Sequence, residues 1–124
     1  MLCIDTSSMI AFLEGQNGRD VELIDQALLD QVGLFAPVTV TELLSDPELT
    51  ASTRNTISAI PVLPILNGFW ERAGILRAKV LKRGRKAKLA DTLIAQSCID
   101  HQTTLVSRDQ DFEIFKKLAG LKLL

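Results

Sequence analysis

The feature that most constrains this chain is the alternation of very short apolar runs with longer stretches of helical periodicity. Met1–Ile4, Leu34-Phe35-Ala36, Ile60–Ile65, Thr104-Leu105-Val106 and Leu121–Leu124 read as strands. Between them, apolar residues recur at helical spacing over 7–14, 20–31, 38–45, 49–59, 67–83, 88–101 and 109–117. Strands of three to six residues separated by helices cannot form hairpins. They predict an α/β fold with a parallel sheet flanked by helices on both faces. Pro61 and Pro64 suit an edge strand, and Gly33 is read as the end of the second helix. At 124 residues, with no repeat or linker, residues 1–124 form a single domain.

Such a sheet has a functional edge. Right-handed crossovers place the C-terminal ends of all strands together, and ligands bind there. Asp5, Glu42 and Asp109 each follow a strand, directly or within a few residues, and Asp91 opens the helix that leads into Thr104–Val106. Ile94, Ala95 and Cys98 follow Asp91 at i+3, i+4 and i+7, so Asp91 lies on an apolar helix face. A carboxylate there is costly unless its charge is compensated. The other three acids have local explanations. Asp5 and Asp109 can cap helices, and Thr39-Val40-Thr41-Glu42 fits a capping box. Taken together, Asp5, Glu42, Asp91 and Asp109 form an acidic site whose mutual repulsion calls for a cation. Oxygen-only ligands select Mg²⁺ or Mn²⁺, with Asp5, Asp91 and Asp109 as the principal ligands. Thr6 and Ser107 are hydroxyls beside two of the acids, either orienting a carboxylate or a metal-bound water or simply capping helices. Asp111 is either an outer acid of the same site or a first-turn helix acid.

The net charge of −1 conceals an asymmetry. Residues 1–71 carry ten acids and two bases, whereas residues 72–90 carry eight bases and no acid. A basic run leading directly to Asp91 suits a polyanion cut at the metal. Arg77, Lys82, Arg83, Arg85, Lys86 and Lys88 are the expected phosphate contacts; a solvated helix face is the plainer alternative. Aromatic residues are few, so base stacking is a minor binding mode, and Phe69 and Trp70 are assigned to core or dimer contacts. The lone His101 argues against zinc chemistry and a Ser-His-Asp triad, and Cys3 and Cys98 read as buried thiols. No run is long enough to span a bilayer, and the first residues lack a basic leader, so the expectation is a cytoplasmic protein without membrane contact.

At Leu2-Cys3-Ile4-Asp5-Thr6-Ser7, Thr39-Val40-Thr41-Glu42-Leu43-Leu44, Leu89-Ala90-Asp91-Thr92-Leu93-Ile94-Ala95 and Leu105-Val106-Ser107-Arg108-Asp109-Gln110-Asp111-Phe112, the chain resembles the PIN-domain nucleases, most closely the small VapC-type toxins. The resemblance spans essentially the whole chain. It implies a PIN-like α/β fold with a five-stranded parallel sheet, and a Mg²⁺- or Mn²⁺-dependent endoribonuclease with Asp5, Glu42, Asp91 and Asp109 in the acidic site. It also implies an RNA substrate, a homodimer and a cognate antitoxin. Ser107 stands where many relatives have threonine, which keeps the hydroxyl. Three other readings stay open: a PIN nuclease outside toxin–antitoxin systems, a non-catalytic PIN-fold binding module, and a phospho-acceptor receiver domain. The last lacks the acid it needs at the end of a middle strand.

Overall fold

A computed structural model describes residues 1–124. Three strands pair in parallel: β1 (Leu2–Ile4), β2 (Gly33–Leu34) and β3 (Thr104–Val106), in the spatial order β2-β1-β3. Leu2 faces Gly33 and Thr104, and Ile4 faces Val106. Seven α-helices connect or follow them: α1 (Thr6–Leu13), α2 (Arg19–Leu29), α3 (Pro37–Leu44), α4 (Ala51–Ser58), α5 (Phe69–Lys82), α6 (Leu89–Asp100) and α7 (Glu113–Ala119). A 3₁₀ turn, Gln110–Phe112, precedes α7.

The sheet has three strands rather than the five expected. The two missing edges are single parallel bridges, Phe35 to Val62 and Leu105 to Leu123. At the first, the Phe35 amide donates to Pro61 O and the Leu63 amide to Phe35 O, at 2.9 and 2.8 Å. Pro61 and Pro64 have no N–H to extend that ladder. At the second, Leu105 N donates to Lys122 O and Leu124 N to Leu105 O.

Side-chain alternation along the strands builds two cores. Cys3, Leu34 and Leu105 face one cluster, together with Leu76 and Val80 of α5, Ile94 and Cys98 of α6, and Phe115 of α7. Ile4, Phe35 and Val106 face the other, with Met9, Ile24, Leu43 and Ile57 of α1 to α4. The sheet is therefore covered on both faces. Gly33 does not end α2, as the sequence suggested. That helix ends at Leu29, Gln31 takes the left-handed turn at φ 57°, and Gly33 lies buried in β2. Leu28 Cδ2 lies 3.0 Å from where a Gly33 Cβ would stand.

Candidate metal centre at the sheet edge

β1 ends at Ile4, and Asp5 follows as the N-cap of α1, 3% exposed. Its amide donates to Val106 O at 3.0 Å, which pins Asp5 against the end of β3. The Asp5 carboxylate does not cap its helix. Oδ2 instead accepts from Ser7 Oγ at 2.7 Å and from Ser107 Oγ at 2.8 Å. The Ser107 oxygen also accepts from the Asp109 amide at 3.0 Å. Asp109 caps the 3₁₀ turn through its Oδ1, which accepts from the Asp111 amide at 2.9 Å.

That turn folds Asp111 back beside Asp109. One carboxylate oxygen from each of Asp91, Asp109 and Asp111 lies within 4.8 Å of the others. Asp91 sits in the first turn of α6, whose N-cap is Lys88, and Ile94, Ala95 and Cys98 on its face are buried as the spacing requires. Burial, reinforced by Asp109 and Asp5, raises the Asp91 carboxyl to about 6; Lys88 opposes the shift and Asp111 adds to it. An apolar helix face and like charges thus act together on this group. Three carboxylates converging without a paired arginine are a hard, oxygen-only donor set. These residues fit a divalent cation of the Mg²⁺ or Mn²⁺ kind.

This trio includes neither Asp5 nor Glu42. Glu42 is exposed on α3 and accepts from Thr6 Oγ1 at 2.6 Å, which ties it to the residue next to Asp5. The expected capping box does not form. α3 begins at Pro37 after Ala36, which places Thr39 inside the helix, where its buried Oγ1 has no partner. Asp111 is a first-turn acid of the 3₁₀ element, and its carboxylate lies close to those of Asp91 and Asp109. Ser7 escaped the sequence reading; its one signal is a hydroxyl two residues after Asp5, within the first turn of a helix.

The six expected phosphate contacts divide. Lys82, Arg83, Arg85 and Lys86 are exposed and take part in none of the ion pairs. Lys88 lies 3.9 Å from Asp111. Arg77 is committed to structure, its Nε donating to Ala87 O at 2.9 Å. Phe69 is buried against Trp70, which is itself exposed. The Cys98 thiol is raised by its hydrogen bond with Cys3 and by burial, and both cysteines are free and buried in the core. No helix is long and apolar enough to cross a membrane.

The fold is shared with solved structures. A chain in the VapBC2 complex of Rickettsia felis, described as bound to a DNA fragment from its promoter, matches with a TM-score of 0.77 at 16% identity, covering 99% of this chain and 96% of that one. A chain of VapBC-5 from Mycobacterium tuberculosis, a toxin–antitoxin system, matches with a TM-score of 0.66 at 21% identity, covering 98% and 95%. VapBC-1 of Haemophilus influenzae gives 0.75 at 15%, covering 99% and 96%. No curated protein sequence matches significantly. The family model of the PIN domain matches residues 2–120, nearly the whole chain, and the chain belongs to the PIN-domain family.

Proposed function

We propose that this protein is a metal-dependent endoribonuclease, the VapC-like toxin of a toxin–antitoxin pair. The observation that carries the reading is the convergence of Asp91, Asp109 and Asp111 beside Asp5, at the edge where the parallel strands end. Membership of the PIN family and likeness to chains of VapBC assemblies support the nuclease and the antitoxin partner.

In this reading Asp5, Asp91 and Asp109, joined by Asp111, hold Mg²⁺ or Mn²⁺. When bound, such an ion supplies Lewis-acid activation of water and neutralises charge at the scissile phosphate. The chain's own residues do the rest. Ser7 and Ser107 fix the rotamer of Asp5, and Thr6 fixes Glu42, so the acidic groups meet substrate already oriented. A carboxylate of the site can accept the proton of an attacking water. Lys82, Arg83, Arg85, Lys86 and Lys88 hold the flanking phosphates of the RNA. The protein acts in the cytoplasm as a homodimer, and its antitoxin covers the acidic edge.

Purified protein is tested on a pool of structured RNAs with Mg²⁺, Mn²⁺ or EDTA, beside Asp91→Asn. Cleavage that needs the metal and is lost in the variant is the expected result. No cleavage and no metal binding would leave the PIN fold as a binding module.

A further inference from the structure

We propose that Arg108 is a positioning residue, a clamp that holds the Ser107–Asp111 segment in the register the acidic site requires. The inference rests on the reading that these acids hold a divalent ion. β3 ends at Val106, and from Ser107 to Asp111 the chain has no ladder partner. Its course is set by side-chain hydrogen bonds, and Arg108 makes the most. Its Nε and Nη2 donate to Asp20 Oδ2 and Oδ1 at 2.8 and 3.0 Å. Nη1 donates to Gln16 Oε1 at 2.8 Å, and Nη2 also reaches Asn17 O at 3.4 Å.

The acceptor side is built, not incidental. Asp20, with only 13% of its side chain exposed, also accepts from the fully buried Ser8 Oγ at 2.8 Å. Gly18, at φ 149°, leaves room for the pair, since a Cβ there would stand 2.6 Å from Asp20 Oδ1 and 3.1 Å from Arg108 Nη2.

The connections close a ring. Asp5 leads through α1 to Ser8, Ser8 holds Asp20, Asp20 holds Arg108, and the neighbouring Ser107 returns to Asp5 Oδ2. Asp109 hangs from this ring by its own amide on Ser107 Oγ. Arg108 touches none of the carboxylates of the site. It acts through Ser107 and Asp109, the two residues it separates. A planar fork gripping one carboxylate at two points fixes direction as well as distance, which an ammonium cannot do.

The test uses the full chain carrying Arg108→Ala or Arg108→Lys, with two readouts. In metal-free protein, amide hydrogen exchange is followed at Asp109 and Asp111, whose N–H groups report the Ser107 and Asp109 bonds. In parallel, Mn²⁺ affinity is measured by calorimetry. Arg108→Ala is expected to speed exchange at both amides about tenfold or more while the α5 and α6 amides keep their protection. It is expected to weaken Mn²⁺ binding roughly tenfold, and Arg108→Lys to recover only part of that loss. Unchanged exchange, faster exchange with unchanged Mn²⁺ affinity, or full recovery by lysine would each overturn the clamp. If Arg108→Ala does not fold, Arg108→Gln decides by the same two readouts. Should the wild-type chain bind no Mn²⁺, the metal reading has failed, and the exchange rates alone decide the clamp.

Discussion

Asp20 and Asp91 are both shielded carboxylates, and the fold treats them in opposite ways. Asp20 meets a guanidinium fork, a buried hydroxyl and a backbone amide, and these hold its carboxyl at about 2. Asp91 meets an apolar helix face and other acids, and it is pushed up to about 6. The first charge is satisfied inside the chain. The second is offset only in part, by Lys88. The five residues Ser107 to Asp111 join both regions, since Arg108 pairs with Asp20 while Asp109 and Asp111 converge with Asp91. The ion pair and the acidic cluster differ in how fully the protein supplies the counter-charge.

The largest effect should come from breaking the unsatisfied side. Asp91→Asn is expected to lower RNA cleavage by at least about 10²–10³-fold, the scale of removing one preorganised electrostatic group. The same change should leave the metal-free protein as stable as the parent or more so, because it removes a half-buried repelling charge. Single-turnover cleavage and thermal unfolding of one preparation check both halves.

Next come the exposed bases. Alanine at Lys82, Arg83, Arg85 and Lys86 together should weaken RNA binding roughly 10²-fold at 0.1 M salt. It should flatten the plot of log K against log salt by about 3, and leave cleavage of saturating RNA near the parent rate. A fall in that saturated rate would move these residues into the chemistry.

The pH dependence of stability sharpens the contrast further. Asp20 has a folded pKa below its unfolded value, so its contribution is full above about pH 4 and is lost as pH falls toward 2. Asp91 has the opposite sign. Its folded pKa lies above the unfolded value, so metal-free protein loses stability as pH rises from about 4 to about 6. Asp20→Asn should cost about 1–2 kcal/mol at pH 7, allowing for partial solvent screening. Asp91→Asn should abolish the loss between pH 4 and 6. Chemical denaturation across pH 3–8 separates the two.

The smallest effect belongs to Ser7→Ala, which removes one of the two hydroxyls on Asp5 Oδ2 and leaves Ser107 in place. A several-fold loss of metal affinity is expected, at the low end of what an orienting partner supplies.

Much of this was legible beforehand. Asp5 and Asp109 follow strands, and the period of Ile94, Ala95 and Cys98 placed Asp91 on its apolar face; the structure keeps all three where the pattern put them. The edges were harder to read. Ile60–Ile65 is extended and apolar, but its prolines limit it to one bridge, and a strand is counted by hydrogen bonds that composition does not reveal. Asp111 stands in the first turn of a helical element, as its spacing suggests, but its approach to Asp91, 20 residues back, leaves no local signal. Glu42 carries the motif of a site acid, yet its partner in the fold is Thr6, 36 residues away. Arg108 left no local signal at all. Its acceptors lie 88 to 92 residues back, in a turn whose sequence shows only that it is a turn.

The most direct measurement is thermal unfolding with and without Mn²⁺, for the parent chain and Asp91→Asn. An ion held by the acidic cluster binds the folded state alone. At a hundredfold excess over its dissociation constant it should stabilise the parent by about 2.7 kcal/mol, a rise in Tm of roughly 10 °C. Asp91→Asn should show little or none of that rise at the same concentration. Equal shifts in both proteins, or no shift in the parent, would contradict the claim that this sheet edge is built to hold a metal.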